Sequence, residues 1–578
     1  MTDTPAAAPA AKPSDALAAA AARYWDQALA FSPLMATYLG DRRFDDRMDD
    51  RSAAALAAHA ADLTAVETEV ETIDPDALEG EDRITRSALL AQIHTDRAFL
   101  DANLSAWSID PLGGPHVAVL SMEAIQPVAT TAEAKAMVGR WRAMGPWLDG
   151  HSDRLREEVA LGRVGVRSPI EKVIDQIASS LEHPDEELPL LAPLAVAHDD
   201  WSDDDRATFD THLRAAVRNG IRPAMQRYLD TLRDDILPVA RPDDRPGIMH
   251  IPGGLEAYAR LIQAHTSLPL TAEAIHAIGL EEVARIDREL AVLGERVLGT
   301  ADLPTIRDRL RTDPAMHFET RDEVREMAET SLARARAAIP EWFGILPEAD
   351  CVVVVMPEHE ERHSTIAYYR QPALDGSRPG QYAINTWEPT TRPRYEAEAL
   401  AYHEAIPGHH LQLAISQELT ALPDFRRHDG PTAYVEGWGL YTERLSDEMG
   451  LYSGDLDRIG VLSFDAWRAC RLVVDTGMHA LGWTRQQAVD FMLEHTVLAA
   501  NNVVNEIDRY IVDPGQALAY KIGQREILRL RAEAKATLGD HFDIRAFHDA
   551  VLGHGVVGLE TLGEIVRDWT RSVLGAAS

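Results

Sequence analysis

A helical periodicity runs through most of this chain and restricts it to a mainly α-helical fold. Apolar residues recur every three or four positions in segments such as 15–31, 50–71 and 272–298, which are rich in Ala, Leu, Glu and Arg. No apolar run in the sequence reaches the roughly 18 residues that a membrane-spanning helix needs. The pattern therefore predicts a large helical protein with no membrane partner.

One short region departs from the helical pattern. Residues 351–356 form a continuous β-branched run, CVVVVM, while residues 364–369 and 381–387 alternate or carry aromatic side chains. Turn-forming residues, 375–380, separate the last two segments. We expect a small antiparallel sheet here. Its exposed edge strand could pair with an extended peptide, and the simpler alternative is a purely structural hairpin.

The charge and the cysteine content indicate where the protein works. Lys and Arg number 57 and Asp and Glu number 93, which gives a net charge of −36 and argues against nucleic acid or an anionic membrane as partner. Cys351 and Cys470 are the only cysteines, so no disulfide framework is expected. Residues 1–13 predict a flexible tail without a secretion signal. These features favour a cytoplasmic protein.

The motif HEAIPGHH, residues 403–410, points to a zinc site with unusual spacing. His403 followed by Glu404 matches the start of the H-E-x-x-H helix, in which the glutamate acts as a base beside the metal. Pro407 occupies the position of the second histidine and cannot bind an ion. On an undistorted helix, residues six or seven positions on lie about 9 to 10.5 Å away along the axis. The Pro-Gly pair must kink or bulge the helix, so His409 and His410 both remain candidates for the second ligand.

Several motifs carry a resemblance to a known family. They are FSPLMATYLGDRRFDDR, PGQYAINTW, HEAIPGHHLQ, YVEGWGLYTERL, RACRLVVDTGMH and DPGQALAYKIGQ, and they extend over nearly the whole chain. The sequence resembles the bacterial family DUF885, which is grouped with gluzincin-type zinc metallopeptidases. The resemblance implies two helical lobes around a deep cleft, one catalytic zinc ion and a substrate as small as a short peptide. It favours His409 over His410 as the second ligand, which leaves His410 as a substrate-binding candidate.

The resemblance also implies a glutamate from a downstream helix as the third ligand. Glu436 fits, because it lies among apolar residues where an unpaired carboxylate would be costly. The alternative for Glu436 is a buried structural ion pair. Glu443 lies two turns later on the same helical face and could support His403 or His409 from behind, or pair with Arg444 at the surface.

Residues 464–483 place charged side chains on one face of an apolar helix. Arg468, Arg471, Asp475 and His479 follow one another at spacings of three, four and four. In the functional interpretation an arginine, Arg471, holds a substrate carboxylate and His479 donates to the reaction centre. In the structural interpretation an Arg471–Asp475 ion pair joins helices.

The segment around residues 505–531 completes the predicted site. Hydrolysis of a peptide bond builds an oxyanion, which a phenol or a cation can stabilise. Related helical gluzincins supply such a tyrosine near the C-terminus, and Tyr520 is the candidate here, with Lys521 as a substrate-binding residue. Tyr510 and Arg525 lie in the same segment. Without the resemblance, a lone tyrosine is more often a core residue.

The sequence therefore predicts a zinc-dependent peptidase of short peptides, organised as a helical region, 14–345, and a catalytic region, 346–578, packed as one unit. The alternatives are a metal hydrolase of a non-peptide amide or ester, and an inactive peptide-binding relative. A di-iron carboxylate protein would need paired E-x-x-H motifs. The candidate for one, Glu360 to His363, falls in a segment that the sequence predicts to be a loop.

Overall fold

The computed structural model describes residues 12–361, 364–374 and 376–577. The predicted tail lies almost wholly outside these residues, and so do His363 and the side chain of Glu360. Helices make up 73% of the structure, so the fold is mainly α as predicted.

The helices before the sheet occupy the first three-fifths of the chain. They are α1 Pro13–Phe31, α2 Pro33–Tyr38, α3 Ala53–Thr72, α4 Glu81–Ala102, α5 Leu104–Trp107, α6 Pro115–Ile125, α7 Thr131–Ala160, α8 Arg167–Glu182, α9 Asp203–Ala216, α10 Arg222–Asp230, α11 Gly254–Thr266, α12 Ala272–Leu298, α13 Leu303–Thr312 and α14 Arg321–Ala338. Their ends follow local sequence signals. Thr130 and Glu133 form a capping box at the start of α7, and Gly299 ends α12 in the left-handed conformation.

The remaining helices follow or interrupt the sheet. They are α15 Glu358–Glu361, α16 Ala397–Glu404, α17 His409–Glu418, α18 Asp424–His428, α19 Thr432–Glu448, α20 Asp455–Ala480, α21 Arg485–His495, α22 Ala500–Val512, α23 Ala519–Leu538, α24 Ile544–Leu552 and α25 Leu559–Ala577. Among the described helices, none is long and apolar enough to cross a membrane.

The sheet has three strands, and its topology corrects the prediction. The strands are β1 Cys351–Val355, β2 Ala367–Arg370 and β3 Gly380–Ile384, in the order β1-β3-β2. β2 pairs antiparallel with β3 as expected, but β1 pairs parallel with β3, so the sheet is mixed rather than antiparallel. The chain places β3 between the two earlier strands. Residue patterns identify strands but carry no information about their direction.

Two pairs of long helices form the frame around the candidate site. α12 packs along α20, and α19 packs along α23. One apolar cluster reaches from Leu17 in α1 to Val566 in α25 and includes Tyr402 and Ile406 beside the histidine motif. Apolar packing therefore crosses the predicted boundary at residue 345. The predicted division into two lobes around a deep cleft stays a prediction.

A buried ionic network joins these four helices. Asp465 of α20 is 0% exposed and contacts Lys521 of α23, Arg444 of α19 and Arg285 of α12. Burial acts to raise the pKa of the Asp465 carboxyl, but the three cations prevail and hold it well below its ordinary value. Glu282 adds a second carboxylate beside Lys521, and Glu289 adds a third that pairs with Arg285 and Arg444. The network thus compensates its own charges at the centre of the helical frame.

Asp465→Asn should destabilise the protein strongly, because it leaves three buried cations short of one counter-charge. We expect the free energy of unfolding to fall by about 3 to 5 kcal/mol, measured by urea unfolding followed through tryptophan fluorescence. The control is Asp447→Asn, whose half-exposed carboxylate pairs with Arg458 and should matter by less than about 1 kcal/mol. Equal effects of the two substitutions would contradict the role given to the network.

Candidate metal centre

The histidine motif is an interrupted helix. α16 ends at Glu404, four residues turn, and α17 begins at His409. The chain deforms at Pro407–Gly408, as the spacing predicts, but it ends one helix and starts another instead of forming a bulge. The Ile406–Pro407 peptide bond is cis, and the Pro407 carbonyl accepts a hydrogen bond from Trp438 Nε1 at 3.0 Å.

Gly408 is required by the tightness of this turn. A Cβ at Gly408 would lie 1.8 Å from the His403 carbonyl oxygen, a distance that no side chain tolerates. The chain therefore folds back directly onto the end of α16. This return brings the His409 ring to 4.7 Å from the His403 ring, centre to centre and nearly perpendicular.

The third member of the cluster comes from α19. Glu436 Oε2 lies 3.6 Å from His403 Nε2 and 3.5 Å from His409 Nε2. Two atoms that each bind zinc at 2.0–2.1 Å with tetrahedral geometry are about 3.4 Å apart. The three side chains offer ligand atoms that all lie within 4.8 Å of one another. Their types and spacing fit a zinc ion that keeps a fourth position open.

Glu443 supports the cluster from behind. His403 Nδ1 donates to Glu443 Oε1 at 2.8 Å, which leaves Nε2 facing Glu436 and His409. A carboxylate behind a metal-binding histidine fixes the ring and its tautomer. Glu443 therefore pairs with His403, whereas Arg444 joins the network around Asp465. The Nδ1 atom of His409 is buried and has no hydrogen-bond partner.

Close helix packing makes this arrangement possible. A Cβ at Gly439 would lie 2.7 to 2.8 Å from the ring of His403, and a Cβ at Gly437 would lie 2.5 Å from the Gly523 backbone of α23. The two glycines thus let α19 approach α16 on one side and α23 on the other. These two glycines were not predicted as part of the site, although the E-G-W-G pattern around Glu436 indicates close helix packing.

The electrostatics of the cluster follow from burial and from the contacts among its members. Burial acts to raise the pKa of Glu436, but hydrogen bonds from His403 and His409 hold that pKa well below its ordinary value. Burial acts to lower the pKa of His403, and the contacts with Glu436 and Glu443 raise it to about 9. Burial raises the pKa of Glu404, with the two histidines opposing this effect. These shifts place Glu404 within electrostatic reach of all three candidate ligands.

Tyr520 lies near the cluster, at the start of α23. Burial raises the pKa of its phenol, and the charge of Glu436 adds to the rise. The guanidinium group of Arg471 lies 4.4 Å from the centre of its ring. Tyr520 therefore lies close both to Glu436 and to the arginines of α20.

The structure places two of the predicted histidines elsewhere. His410 Nδ1 meets the Tyr369 hydroxyl at 3.0 Å, and His410 Nε2 donates to the Ala349 carbonyl at 3.1 Å, so the ring is tied to the sheet and not directed at a substrate. His479 is 0% exposed, accepts from the Ile248 N–H and donates to the Tyr510 carbonyl. Both nitrogens of each ring are occupied, which corrects the substrate-binding assignment of His410 and the catalytic assignment of His479.

Lys521 is also corrected. Its side chain is 1% exposed, and its ammonium group contacts Asp465, donates to Gln524 Oε1 at 2.8 Å and lies 3.2 Å from Glu282. With its donors committed to these groups, Lys521 is part of the ionic network of the core. Arg525 likewise pairs with Glu282.

The expected Arg471–Asp475 ion pair does not form. Arg471 donates to the Tyr510 hydroxyl at 2.7 Å and to Glu506 Oε2 at 3.0 Å, while Asp475 accepts from Tyr258 at 2.5 Å. Helical spacing put the two residues on one face, but neighbouring helices supplied better partners.

Comparisons with known proteins place the chain by class and then by family. The fold and the buried His-His-Glu cluster define a mainly α-helical protein with a candidate metal centre. A family model described as "Bacterial protein of unknown function (DUF885)" matches residues 33–566, and the chain belongs to this family. No curated protein matches the chain.

Two solved structures resemble the whole chain. A "putative lipoprotein" from Colwellia psychrerythraea is 28% identical with a TM-score of 0.89, and the match covers 97% of this chain and 100% of that one. A "putative lipoprotein of unknown function" from Shewanella oneidensis is 19% identical with a TM-score of 0.72 and shares the fold, over 96% of this chain and 100% of that one.

Gly439→Ala should weaken metal binding although it replaces none of the ligands, because the new methyl group must push the His403 ring aside. We expect the zinc dissociation constant to rise about 10- to 100-fold, as when a supporting residue is lost, measured by competition with a fluorescent chelator. The matched control is Gly150→Ala in α7, where a Cβ would meet nothing within 4 Å. Unchanged zinc binding in Gly439→Ala would show that helix approach does not limit the site.

Proposed function

We propose that this protein is a zinc-dependent hydrolase of peptide bonds in short peptides, a metallopeptidase related to the gluzincins. The observation that carries the proposal is the cluster of His403 Nε2, His409 Nε2 and Glu436 Oε2, with Glu404 next in the chain after His403 and electrostatically coupled to all three. Two histidines and a glutamate form one of the usual ligand sets of catalytic zinc sites in hydrolases.

His403, His409 and Glu436 would hold the ion, with Glu443 orienting the first of them. When bound, zinc would polarise the carbonyl of a substrate and make water more acidic. Within the part of the chain that the structure describes, this is the group of histidine, cysteine and carboxylate side chains close enough together for such a role.

Glu404 is the proposed general base. It follows His403 at the end of α16, and its carboxyl group interacts electrostatically with His403, His409 and Glu436 without being one of the three ligands. There it can take a proton from the attacking water and later return it to the leaving amine. A protein that only bound peptides would not need a carboxylate at this position, which favours an enzyme over the inactive relative.

Tyr520 and β2 complete the proposal. The Tyr520 phenol can donate a hydrogen bond to the oxyanion that develops as the carbonyl is attacked. β2 is an edge strand that contacts α16, so an extended peptide backbone could pair with it beside the cluster. The cytoplasmic location stays a prediction. Both similar structures are described as a "putative lipoprotein".

The first test separates ligands from the base by measuring zinc content and turnover together. His403→Ala, His409→Ala and Glu436→Ala should lose zinc, while Glu404→Gln should keep zinc and lose about 100- to 10,000-fold in kcat. His410→Ala is the matched control, because its ring is bonded to Tyr369 and Ala349. It should keep stoichiometric zinc, measured by mass spectrometry of metals on the purified chain.

Two outcomes would overturn the proposal. One is a wild-type chain that takes up no zinc at equimolar supply. The other is a zinc-loaded chain that cleaves no member of a peptide library but hydrolyses simple esters or non-peptide amides, which would move the assignment to that alternative.

Tyr520→Phe tests the oxyanion role. Removal of one hydrogen-bond donor should lower kcat by about 100- to 1,000-fold, with little change in KM and in zinc content. The control is Tyr434→Phe in α19, whose hydroxyl donates to the Val551 carbonyl. A parallel loss of kcat in both variants would assign the effect to packing.

A further inference from the structure

Three arginines beside the candidate site have fewer carboxylate partners than they have positive charges. Arg468 and Arg471 come from α20 and Arg509 from α22. Glu506 lies 3.0 Å from Arg471 and 3.1 Å from Arg509, and among the described residues it is the one carboxylate within 4.0 Å of these three guanidinium groups. Three positive charges therefore face one negative charge, inside a chain whose net charge is −36.

Arg468 is the member of this group without an ionic partner. It is 6% exposed, and its Nε and Nη1 atoms are buried and make no hydrogen bond. Its guanidinium group lies against aromatic rings, 4.7 Å from the centre of Phe464, 4.4 Å from Trp467 and 5.9 Å from Tyr520. The Nη1 atom of Arg471 is buried and unpartnered as well.

Other buried arginines of this chain have acceptors within the fold. Arg140 is 0% exposed and donates to the carbonyls of Arg47 and Phe44 and to Gln126. Arg426 is 0% exposed and pairs with Glu81, and its two terminal nitrogens have partners although its Nε does not. Because a buried charge without an acceptor is costly, the empty donors of Arg468 point to an acceptor that the folded chain does not itself supply.

The free donors lie beside the proposed reaction centre. Arg468 and Arg471 both face the ring of Tyr520, and the charge of Arg468 acts on Glu404 and on Glu396. Neither of these carboxylates lies within ion-pair distance of Arg468. An acceptor on the substrate could therefore reach the arginines while a neighbouring bond lies at the metal centre.

We propose that Arg468, helped by the free Nη1 of Arg471, binds a carboxylate of the substrate close to the bond that is cleaved. The inference rests on the proposed function and narrows its substrate class to peptides with a free carboxylate near the scissile bond. A planar guanidinium group matches a carboxylate in shape and charge, and the pair forms two parallel hydrogen bonds. The carboxylate comes from the C-terminus of the peptide or from an acidic side chain.

The test compares paired substrates. N-acetylated oligoalanines are offered to the zinc-loaded full chain as free acids and as C-terminal amides, and amides ending in Glu are compared with amides ending in Gln. The wild type should prefer the acids over the amides by about 10- to 100-fold in kcat/KM. A preference for Glu over Gln among the amides, without one for the free C-terminus, would identify the side chain as the source.

Substitutions of Arg468 test whether this residue causes the preference for acids over amides. Arg468→Met should lower kcat/KM for the acids to the level of the amides and leave the amides nearly unchanged, while Arg468→Lys should keep part of the preference. The matched control is Arg531→Met, which removes the same charge where the guanidinium group pairs with Glu448. It should retain the full preference.

Failure of the inference and failure of the proposed function are distinguishable. Equal cleavage of acids and amides, together with equal cleavage of the Glu and Gln amides, by the wild type would overturn the inference and leave the peptidase intact, whether or not any Arg468 variant folds. If no peptide is cleaved, calorimetric titration of the zinc-loaded Glu404→Gln protein with the same acids and amides tests the carboxylate site by binding alone. Binding that requires a carboxylate, at the C-terminus or on the Glu side chain, and that is lost in Glu404→Gln/Arg468→Met supports the carboxylate site, and equal binding of ligands with and without a carboxylate overturns it.

Discussion

The contact between α16 and α19 is the constraint on which the candidate site depends. It sets Glu436 against both histidine rings and Glu443 against the remaining nitrogen of His403. The helices can approach this closely because residue 439 is a glycine. The tight turn at Gly408 then adds His409 from the other side. Ligand geometry here results from backbone packing, and backbone packing is rigid because protein interiors are densely filled.

The opposite face of α19 packs against α23, the helix that supplies Tyr520. Gly437 lies against Gly523 of α23, and Tyr520 begins that helix. The Asp465 network, with Lys521 on α23 and Arg444 on α19, fixes the two helices relative to α20. Removal of one partner leaves a buried charge uncompensated, which strongly destabilises the folded protein. The network therefore holds one arrangement of α19, α20 and α23. That arrangement brings Tyr520 and the arginines of α20 to one side of the metal cluster.

The sequence predicts the helical class and the residues of the cluster better than it predicts how the other polar residues are used. Pro407-Gly408 signals a deformation because both residues break helices, but it does not distinguish a bulge from a new helix. The direction of β1 relative to β3 leaves no trace in residue patterns. His479 and Lys521 look like site residues because they are polar and face inward. A buried polar residue needs a partner in either case, and only the fold shows that theirs are the Tyr510 carbonyl and Asp465.

The contrast between Asp465 and Arg468 separates buried charge that serves the fold from buried charge that can serve a ligand. Asp465 meets three cations within the chain, whereas Arg468 meets aromatic rings and leaves two donors empty. At a net charge of −36 the chain repels anions at long range. That repulsion is screened beyond about 8 Å at physiological ionic strength, so it cannot oppose a contact made inside the site. A carboxylate held by Arg468 would therefore be selected by fit at the arginine and not by attraction to the protein as a whole.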